Sequence, residues 1–384
     1  MTENKRCPLY KKCGGCQLQN LDYERQLSLK YKRVIGLVGR FGRVSRIIGM
    51  DNPYHYRNKV QAAFGTDRSG HIISGVYQSS THRIVPVEEC LIEDKIADSI
   101  IGTVRALLRS FKLRPYNEDT GEGFLRHVLV KRGFVSGQVM VVLVTGSGEF
   151  KSRRSFVNAL VGRHPEIVTV VRNINDRHTS LVLGERSEIL YGSGKIEEQL
   201  CGFTFRISPK AFYQINPVQT EVLYGLVRQF AELKPTDTVL DAYCGTGTIG
   251  LILSQDAGQV IGVEINADAV RDAKENAEIN GIKNAKFYTA DAGEYLVAAA
   301  ERGDRVDAVI MDPPRAGSSR AFLKSLIKMS PQRVVYVSCN PLTLARDLEY
   351  ICRGGYDVKK IQPVDMFPHT EHVECAVLLT RRAK

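Results

Sequence analysis

The chain is expected to fold as an α/β protein, with a doubly wound parallel sheet over residues 201–384 and a smaller α+β unit over residues 1–200. Three observations predict this. Past residue 200, short apolar runs alternate with helix-length amphipathic segments, the rhythm of strand–helix–strand crossovers. The first of those runs ends in a glycine turn, Gly245-Thr246-Gly247-Thr248-Ile249-Gly250, at the kind of strand end where open α/β sheets bind ligands. Before residue 200 the strand-like runs come in turn-bounded pairs, and the charge balance is different.

Taken in order, residues 22–38 (DYERQLSLKYKRVIGLV) read as a basic amphipathic helix that ends near Gly39 and Gly42. Strand-like runs KVQAAFG and HIISGVY follow between about 55 and 90, and 91–113 read as helical. Two strand pairs come next, LRHVLVKRG with GQVMVVLVTG and IVTVVRNI with SLVLGE. The turn-rich YGSGK precedes a boundary near residue 200. A helix over 217–231 then leads into TVLDAYCG, and QVIGVEIN, AKFYTAD, RVDAVIMDPP and RVVYVSCNP alternate with helices over 267–279, 293–301 and 319–328. KKIQPVDMF and VECAVLLTR are the last strand-like pieces.

Composition narrows the class. The chain has 384 residues, 43% of them hydrophobic, enough to bury substantial cores. No apolar run approaches the roughly 18 residues of a spanning helix, and MTENKRCPLYKKCGGC has no signal-peptide apolar stretch. A cytoplasmic protein without a membrane partner is expected, and nothing calls for an obligate protein partner. Residues 1–200 carry 31 Lys and Arg against 20 Asp and Glu, while 201–384 carry 22 of each. The whole net charge of +11 therefore lies in the first half, which points to a phosphate backbone as partner. Arg25, Lys30, Lys32, Arg33, Arg57, Lys59, Arg126, Lys131 and Arg132 are the group expected to hold phosphates. Nine cysteines, an odd number without an export signal, argue against a disulfide framework and leave thiols for metal binding or covalent chemistry.

The glycine turn alone also fits a dinucleotide site. Asp241 before it, Glu264 at the end of the next strand and the later Asp312-Pro313-Pro314-Arg315 favour S-adenosylmethionine over NAD. Glu264 is placed to accept hydrogen bonds from both ribose hydroxyls. Asp312, at the end of the fourth strand, would sit beside the transferring methyl group. Amine methyltransferases usually end this motif in an aromatic residue, and cytosine-5 RNA methyltransferases tend to carry a cysteine directly after the prolines. Arg315 stands there instead.

Cys339 closes the next strand, 27 residues after Asp312. C5 of uracil is too weak a nucleophile to take a methyl group unaided. A thiolate adding to C6 makes the ring an enolate whose C5 can attack, which is covalent catalysis. A general base must then remove the C5 proton before the thiol leaves. Glu374, His369 and His372, all in HTEHVE, are candidates that spacing does not separate.

AFYQIN, DAYCGTGTIG, MDPPRAG, VSCNPLTLARDL and DMFPHTEHVE, in this order, resemble the RNA uracil-5 methyltransferase family over nearly the whole chain. The resemblance implies a Rossmann-like S-adenosylmethionine-dependent catalytic domain. It implies Cys339 as nucleophile, Glu374 as base, and Gln214, Tyr243, Glu264 and Asp312 as cofactor-site residues. Asp291 is a further candidate facing the adenine, and Thr248 stands where some members have Asn. Cys7, Cys13, Cys16 and the distant Cys90 bear a spacing that by chemistry alone suits zinc or a 4Fe–4S cluster. The set resembles the iron–sulfur ligands of the family's 23S ribosomal RNA branch, which implies a 4Fe–4S cluster and 23S rRNA as substrate. Transfer RNA at its T-loop is the alternative, and a non-catalytic RNA-binding or ribosome-assembly protein is the rival class. Many ribosomal members carry an N-terminal β-barrel RNA-binding domain; with Cys7 so near the start, none is expected here. In relatives the segment after the third cysteine can pack on the catalytic domain, so residues 20–50 are expected to pack there.

Overall fold

The computed structural model of the chain describes residues 6–78, 81–177 and 181–383. One turn of helix, α1 (Tyr10–Cys13), ends at Gly14, whose positive φ of 72° suits glycine. The basic helix α2 (Tyr23–Val38) starts at Asp22, whose side chain caps the Arg25 N–H. A meander β1 (Lys59–Thr66), β2 (Ile72–Tyr77) and β3 (Ile84–Pro86) leads to α3 (Lys95–Ser110). Then come β4 (Leu125–Arg132), β5 (Val139–Thr145), α4 (Arg153–Val161), β6 (Ile167–Ile174) and β7 (Arg186–Tyr191). These strands form one seven-stranded sheet in the order β3-β2-β1-β4-β5-β6-β7. β5 and β6 are parallel and joined through α4. The partner of β6 is β7, not SLVLGE, of which 181–185 lie in a connecting loop. The backbone at Gly184 approaches the Ile174 carbonyl so closely that a Cβ would stand 2.1 Å from it, while Val182 and Leu183 pack on the core.

A hairpin of β8 (Ile196–Leu200) and β9 (Phe203–Ile207) follows. Residue 200, near which the turn-rich YGSGK stretch suggests a boundary, lies inside it. Leu200 and Phe205 join an apolar core shared by the two halves. The chain continues as α5 (Pro217–Ala231), β10 (Thr238–Ala242), α6 (Thr248–Leu253), β11 (Gln259–Glu264), α7 (Ala267–Ile279), β12 (Ala285–Thr289), α8 (Ala292–Arg302), β13 (Ala308–Met311), α9 (Arg320–Met329), β14 (Arg333–Ser338), α10 (Pro341–Arg353), β15 (Tyr356–Val364) and β16 (Glu374–Arg381). Their sheet order is β12-β11-β10-β13-β14-β16-β15, parallel except at β16. Strand order reverses between β10 and β13, the switch point at which open sheets form a crevice. Neither seven-stranded sheet closes into a barrel among the described residues.

Three apolar cores hold the layers. One fills the first sheet against α3 and α4. One joins the opposite face of that sheet to the β8–β9 hairpin, α5 and one face of the second sheet. The third lies under the second sheet's other face and takes in Val34 and Val38 of α2 with Val44 and Ile47. Each fully buried valine contributes about 1.5–3 kcal/mol. The 44–48 segment also covers the exposed edge of β15, with Ser45 N–H donating to the Ile361 carbonyl (2.9 Å) and Ile48 N–H to Pro363 (3.0 Å). Residues 23–48 thus complete the helical layer and the edge of a sheet that begins almost 200 residues later.

Candidate active site

Sheet register places the expected residues in a stepped row at one edge, with Asp312 level with Val337 and Cys339 two residues beyond it. Ala242 pairs with Val263 and with Met311, Met311 with Tyr336, and Ser338 with Cys375. One step further along each strand stand Tyr243, Asp312 and Cys339. Stepping back one residue from Cys375 in antiparallel β16 brings Glu374 opposite Cys339. Glu264 ends β11 on the other side of Tyr243. The carboxyl edge therefore carries, in spatial order, Glu264, Tyr243, Asp312, Cys339 and Glu374.

Around β10, the glycine turn is shaped by contacts rather than by sequence alone. Gly247 has φ 81°, and a Cβ there would lie 3.0 Å from both Ala273 and Phe287. Asp241 is buried; its Oδ2 accepts the Gly250 N–H (2.8 Å) while Oδ1 has no protein partner. Burial pushes its carboxyl up to about 7. Glu264 accepts the Gly245 N–H (3.2 Å) and the Asn266 N–H (2.9 Å), which ties its carboxylate to the turn and leaves lone pairs for hydroxyls. Tyr243 is held in the left-handed region (φ 66°), with its hydroxyl 3.5 Å from Ser318 Oγ. A cleft at the switch point is lined by Phe212, Gln214, Tyr224, Tyr243, Thr248 and Asp312, with the glycine turn as its floor. Gln214 comes from the loop before α5 and hydrogen-bonds the buried Tyr224, whose hydroxyl also lies 3.5 Å from Thr248 Oγ1. Amide, hydroxyls, a glycine backbone and two edge carboxylates are donors and acceptors that suit a zwitterionic nucleoside carrying a sulfonium. Asp291 caps α8 through the Gly293 and Glu294 N–H groups, and its field reaches Tyr243.

The second half of the row is a charge cluster. Glu374 is buried, its Oε2 has no hydrogen-bond partner, and its pKa lies well above the usual range. Burial is the main cause, then the Asp312 carboxyl, with Arg315 opposing. Asp312 is itself pushed up to about 7 by burial. The Cys339 thiol is pushed up to about 11, first by burial and then by Glu374 and Asp312; Arg315 pulls the other way. The Arg315 carbonyl accepts Asn340 Nδ2 (3.1 Å) and Thr343 Oγ1 (3.3 Å), so its loop is fastened to the turn that carries Cys339. Of the three candidate bases, only Glu374 lies in the fields of both Cys339 and Asp312. His369 is buried under Tyr54 (ring centroids 4.8 Å), and burial pushes it down to about 4. His372 is half-buried against Phe367 and also lowered, by burial first and then by Arg315.

Sequence reasoning did not assign a site role to two residues here. Phe212, 67% exposed at the cleft, is signalled by an aromatic side chain outside the apolar pattern of AFYQIN. Arg315 was noted only as the place of a missing aromatic ring.

The four N-terminal cysteines are free thiols. Cys7, Cys13 and Cys16 lie within one another's fields, and so do Cys16 and Cys90. A Cβ at Gly15 would lie 3.4 Å from the Cys13 sulfur, so the turn leaves that thiol room. No three His, Cys, Asp or Glu side chains among the described residues converge tightly enough for a metal ion. Cys7, Cys13, Cys16 and Cys90, the expected cluster ligands, form a looser group of thiols than a single ion requires. No helix is long and apolar enough to cross a membrane among the described residues.

The phosphate-holding group also needs correction. Lys30 is buried on Asp365 (2.5 Å), Arg126 on Glu118 (2.6 Å), and Lys131 on the carbonyls of Ser208 (2.9 Å) and Ala211 (2.8 Å). An ammonium or guanidinium committed to internal acceptors is not free for a phosphate. Arg132 pairs with Asp94 (2.7 Å). Arg25, Lys32 and Arg33 of α2 are exposed.

Comparison with known proteins agrees with this layout. The family model of tRNA (uracil-5-)-methyltransferases matches residues 186–382. A Bacillus cereus protein named an RNA methyltransferase is 42% identical over 387 residues, covering 100% of this chain and 84% of that one. One from Clostridium acetobutylicum is 42% identical and covers 98% and 83%. The crystal structure of the Pyrococcus abyssi tRNA (uracil-54, C5)-methyltransferase with S-adenosyl-L-homocysteine matches with a TM-score of 0.82 at 30% identity, over 95% of this chain and 86% of that one.

Proposed function

The chain belongs to the RNA uracil-5 methyltransferase family, and from that premise we propose that it methylates C5 of a uridine through a covalent Cys339 adduct, with Glu374 as the base. S-adenosylmethionine is the cofactor of the family and supplies the methyl group as a sulfonium. Gln214, Tyr243, Glu264 and Asp312 are the residues we assign to holding it. The observation that carries the reading is the register that sets Cys339 opposite Glu374, one strand from Asp312.

In the proposed sequence the Cys339 thiolate sulfur would form a bond to uracil C6, and the C5=C6 electron pair would bond to the methyl carbon as the methyl–sulfonium bond breaks, its pair staying on the departing S-adenosylhomocysteine sulfur. C5 then bears both a methyl group and a hydrogen. Glu374 takes that proton, the C5–H electrons restore the double bond, and the C6–S bond breaks with its pair returning to sulfur. The target base must leave its stack to reach the carboxyl edge. Once ionised, a buried carboxylate whose pKa is raised is a stronger base than an exposed one, and its unpartnered Oε2 has a lone pair to offer. Cys339→Ala is expected to abolish methylation, and retained activity would overturn the mechanism. Glu374→Gln is expected to accumulate a denaturant-stable protein–RNA adduct, seen on gels; prompt turnover without adduct would remove Glu374 from the role.

For the substrate we favour 23S rRNA, on the four-cysteine set that resembles the ribosomal branch. The Pyrococcus relative, whose substrate is tRNA uracil-54, favours transfer RNA as the second reading. Mapping 5-methyluridine in both RNAs from a deletion strain separates them. Cys7, Cys13, Cys16 and Cys90 would hold a 4Fe–4S cluster, whose larger core spaces its thiolates more widely than one ion does. Its proposed role is structural. Iron and acid-labile sulfide in anaerobically purified protein test this; their absence would overturn it.

A further inference from the structure

The connection from β15 to β16, residues 365–373, is far longer than the roughly two to five residues a hairpin needs. It ends on Glu374, the terminal residue of the β15–β16 ladder, paired with Val364. The carbonyls of its first five residues each accept from a different donor elsewhere in the chain. Asp365 accepts from Gln219 Nε2 (3.0 Å), Met366 from Asn216 Nδ2 (2.9 Å) and Phe367 from Lys30 Nζ (3.0 Å). Pro368 accepts from the Tyr56 hydroxyl (3.0 Å) and His369 from the Leu18 N–H (2.9 Å). Three of these donors precede residue 60, and the Leu18 donor lies two residues past Cys16.

His369 sits at the centre, 1% exposed and at φ 69°, a left-handed conformation that costs a non-glycine residue about 1–2 kcal/mol. Its N–H donates to Gln26 Oε1 (2.9 Å), which turns the Gln26 amide nitrogen toward His369 Nδ1 (3.2 Å). An amide nitrogen only donates, so Nδ1 accepts and the ring proton resides on Nε2. The basic lone pair is thereby occupied. A strained residue held on both backbone groups and on its ring is over-determined by its surroundings, the condition under which strain persists at functional sites.

We propose that α2 and its flanking segments clamp this loop to set the reach of the Glu374 carboxyl, and that His369 is the positioning residue through which the clamp acts. The proposal rests on Glu374 being the base. Strand pairing with β14 begins at Cys375, and Glu374 is held on one side only, by Val364 of β15, so the loop entering it from residue 373 bears on where its carboxyl reaches. A group that must meet one C–H bond in an adduct tolerates errors of only about 0.5 Å.

The test is a single-turnover reaction on uracil-containing RNA tritiated at C5, with methyl-labelled cofactor, reading methyl transfer and proton release separately. His369→Ala is expected to leave methyl transfer within about twofold and to slow proton release at least about 10-fold, part of the roughly 10²–10⁴ a general base supplies. The covalent adduct should accumulate accordingly. Tyr56→Phe, which deletes only the bond to Pro368, should shift the same ratio less. His369→Asn keeps a side-chain acceptor and tolerates the left-handed backbone, and should restore release. Both steps falling together in every variant, or neither changing, overturns the clamp. Glu374→Gln runs alongside: an adduct there but none in His369→Ala overturns the clamp alone, and no adduct there overturns the base assignment and the clamp with it.

Discussion

The Cys339 thiol lies in a field of two carboxyls and one guanidinium, and the balance among them sets when it can attack. Burial and the carboxyls raise it to about 11, so the thiolate fraction grows with pH throughout the neutral range. Adduct formation in single turnover should therefore rise with pH from about 6.5 to 9, with a slope near one per unit. Arg315 is the group that opposes the rise. Arg315→Gln should displace the profile to higher pH and lower the rate at any given pH below it; an unchanged profile would show that Arg315 has no such effect. Among the three candidate bases, spacing in HTEHVE gave no choice. The site geometry separates them because only one of the three side chains enters the shared cluster.

At the level of elements, two buried lysines show what a helix or strand pattern leaves out. Residues 22–38 read as a basic amphipathic helix, and α2 is one. Its buried face, however, is Gln26, Lys30, Val34 and Val38. Lys30 is there to meet Asp365 and the Phe367 carbonyl. Lys30→Ala leaves a buried carboxylate unpaired and should cost about 3–5 kcal/mol, read as a lower unfolding midpoint with reduced 5-methyluridine formation. Lys131 on β4 is pushed down to about 7, by burial first and then by Lys59. It holds the Ser208 and Ala211 carbonyls, three residues short of Gln214. Lys131→Met should raise KM for S-adenosylmethionine several-fold, with KM for RNA within twofold; the reverse pattern would return Lys131 to the RNA-binding group.

Across the whole molecule, the basic excess of the first half is divided between internal supports and an exposed set. Only the exposed set can release counterions from RNA. Arg33→Glu should weaken RNA binding on all sequences and reduce the salt slope by about one unit, measured by titration between 50 and 200 mM salt. Arg126→Gln should leave that slope unchanged, because Arg126 is spent on Glu118 and on the Asn175 and Arg177 carbonyls.

The sequence by itself determined the second sheet almost element by element, since each strand and helix there is short, regular and locally patterned. Helices 217–231 and 267–279 are found at those bounds. It also determined the family and the identity of the residues along the carboxyl edge, because strand ends in such a sheet converge wherever its order reverses. Only tertiary structure decided which partner β6 takes, where the 365–373 loop is held, and which cations face water. Those outcomes depend on contacts between residues up to about 350 positions apart, such as Leu18 with His369. A hydrogen bond of that reach has no periodicity to announce it, so Lys30 and Lys131 read in the sequence as phosphate ligands and His369 as a candidate base. Packing makes the two lysines internal supports and encloses His369 in the loop that leads to Glu374.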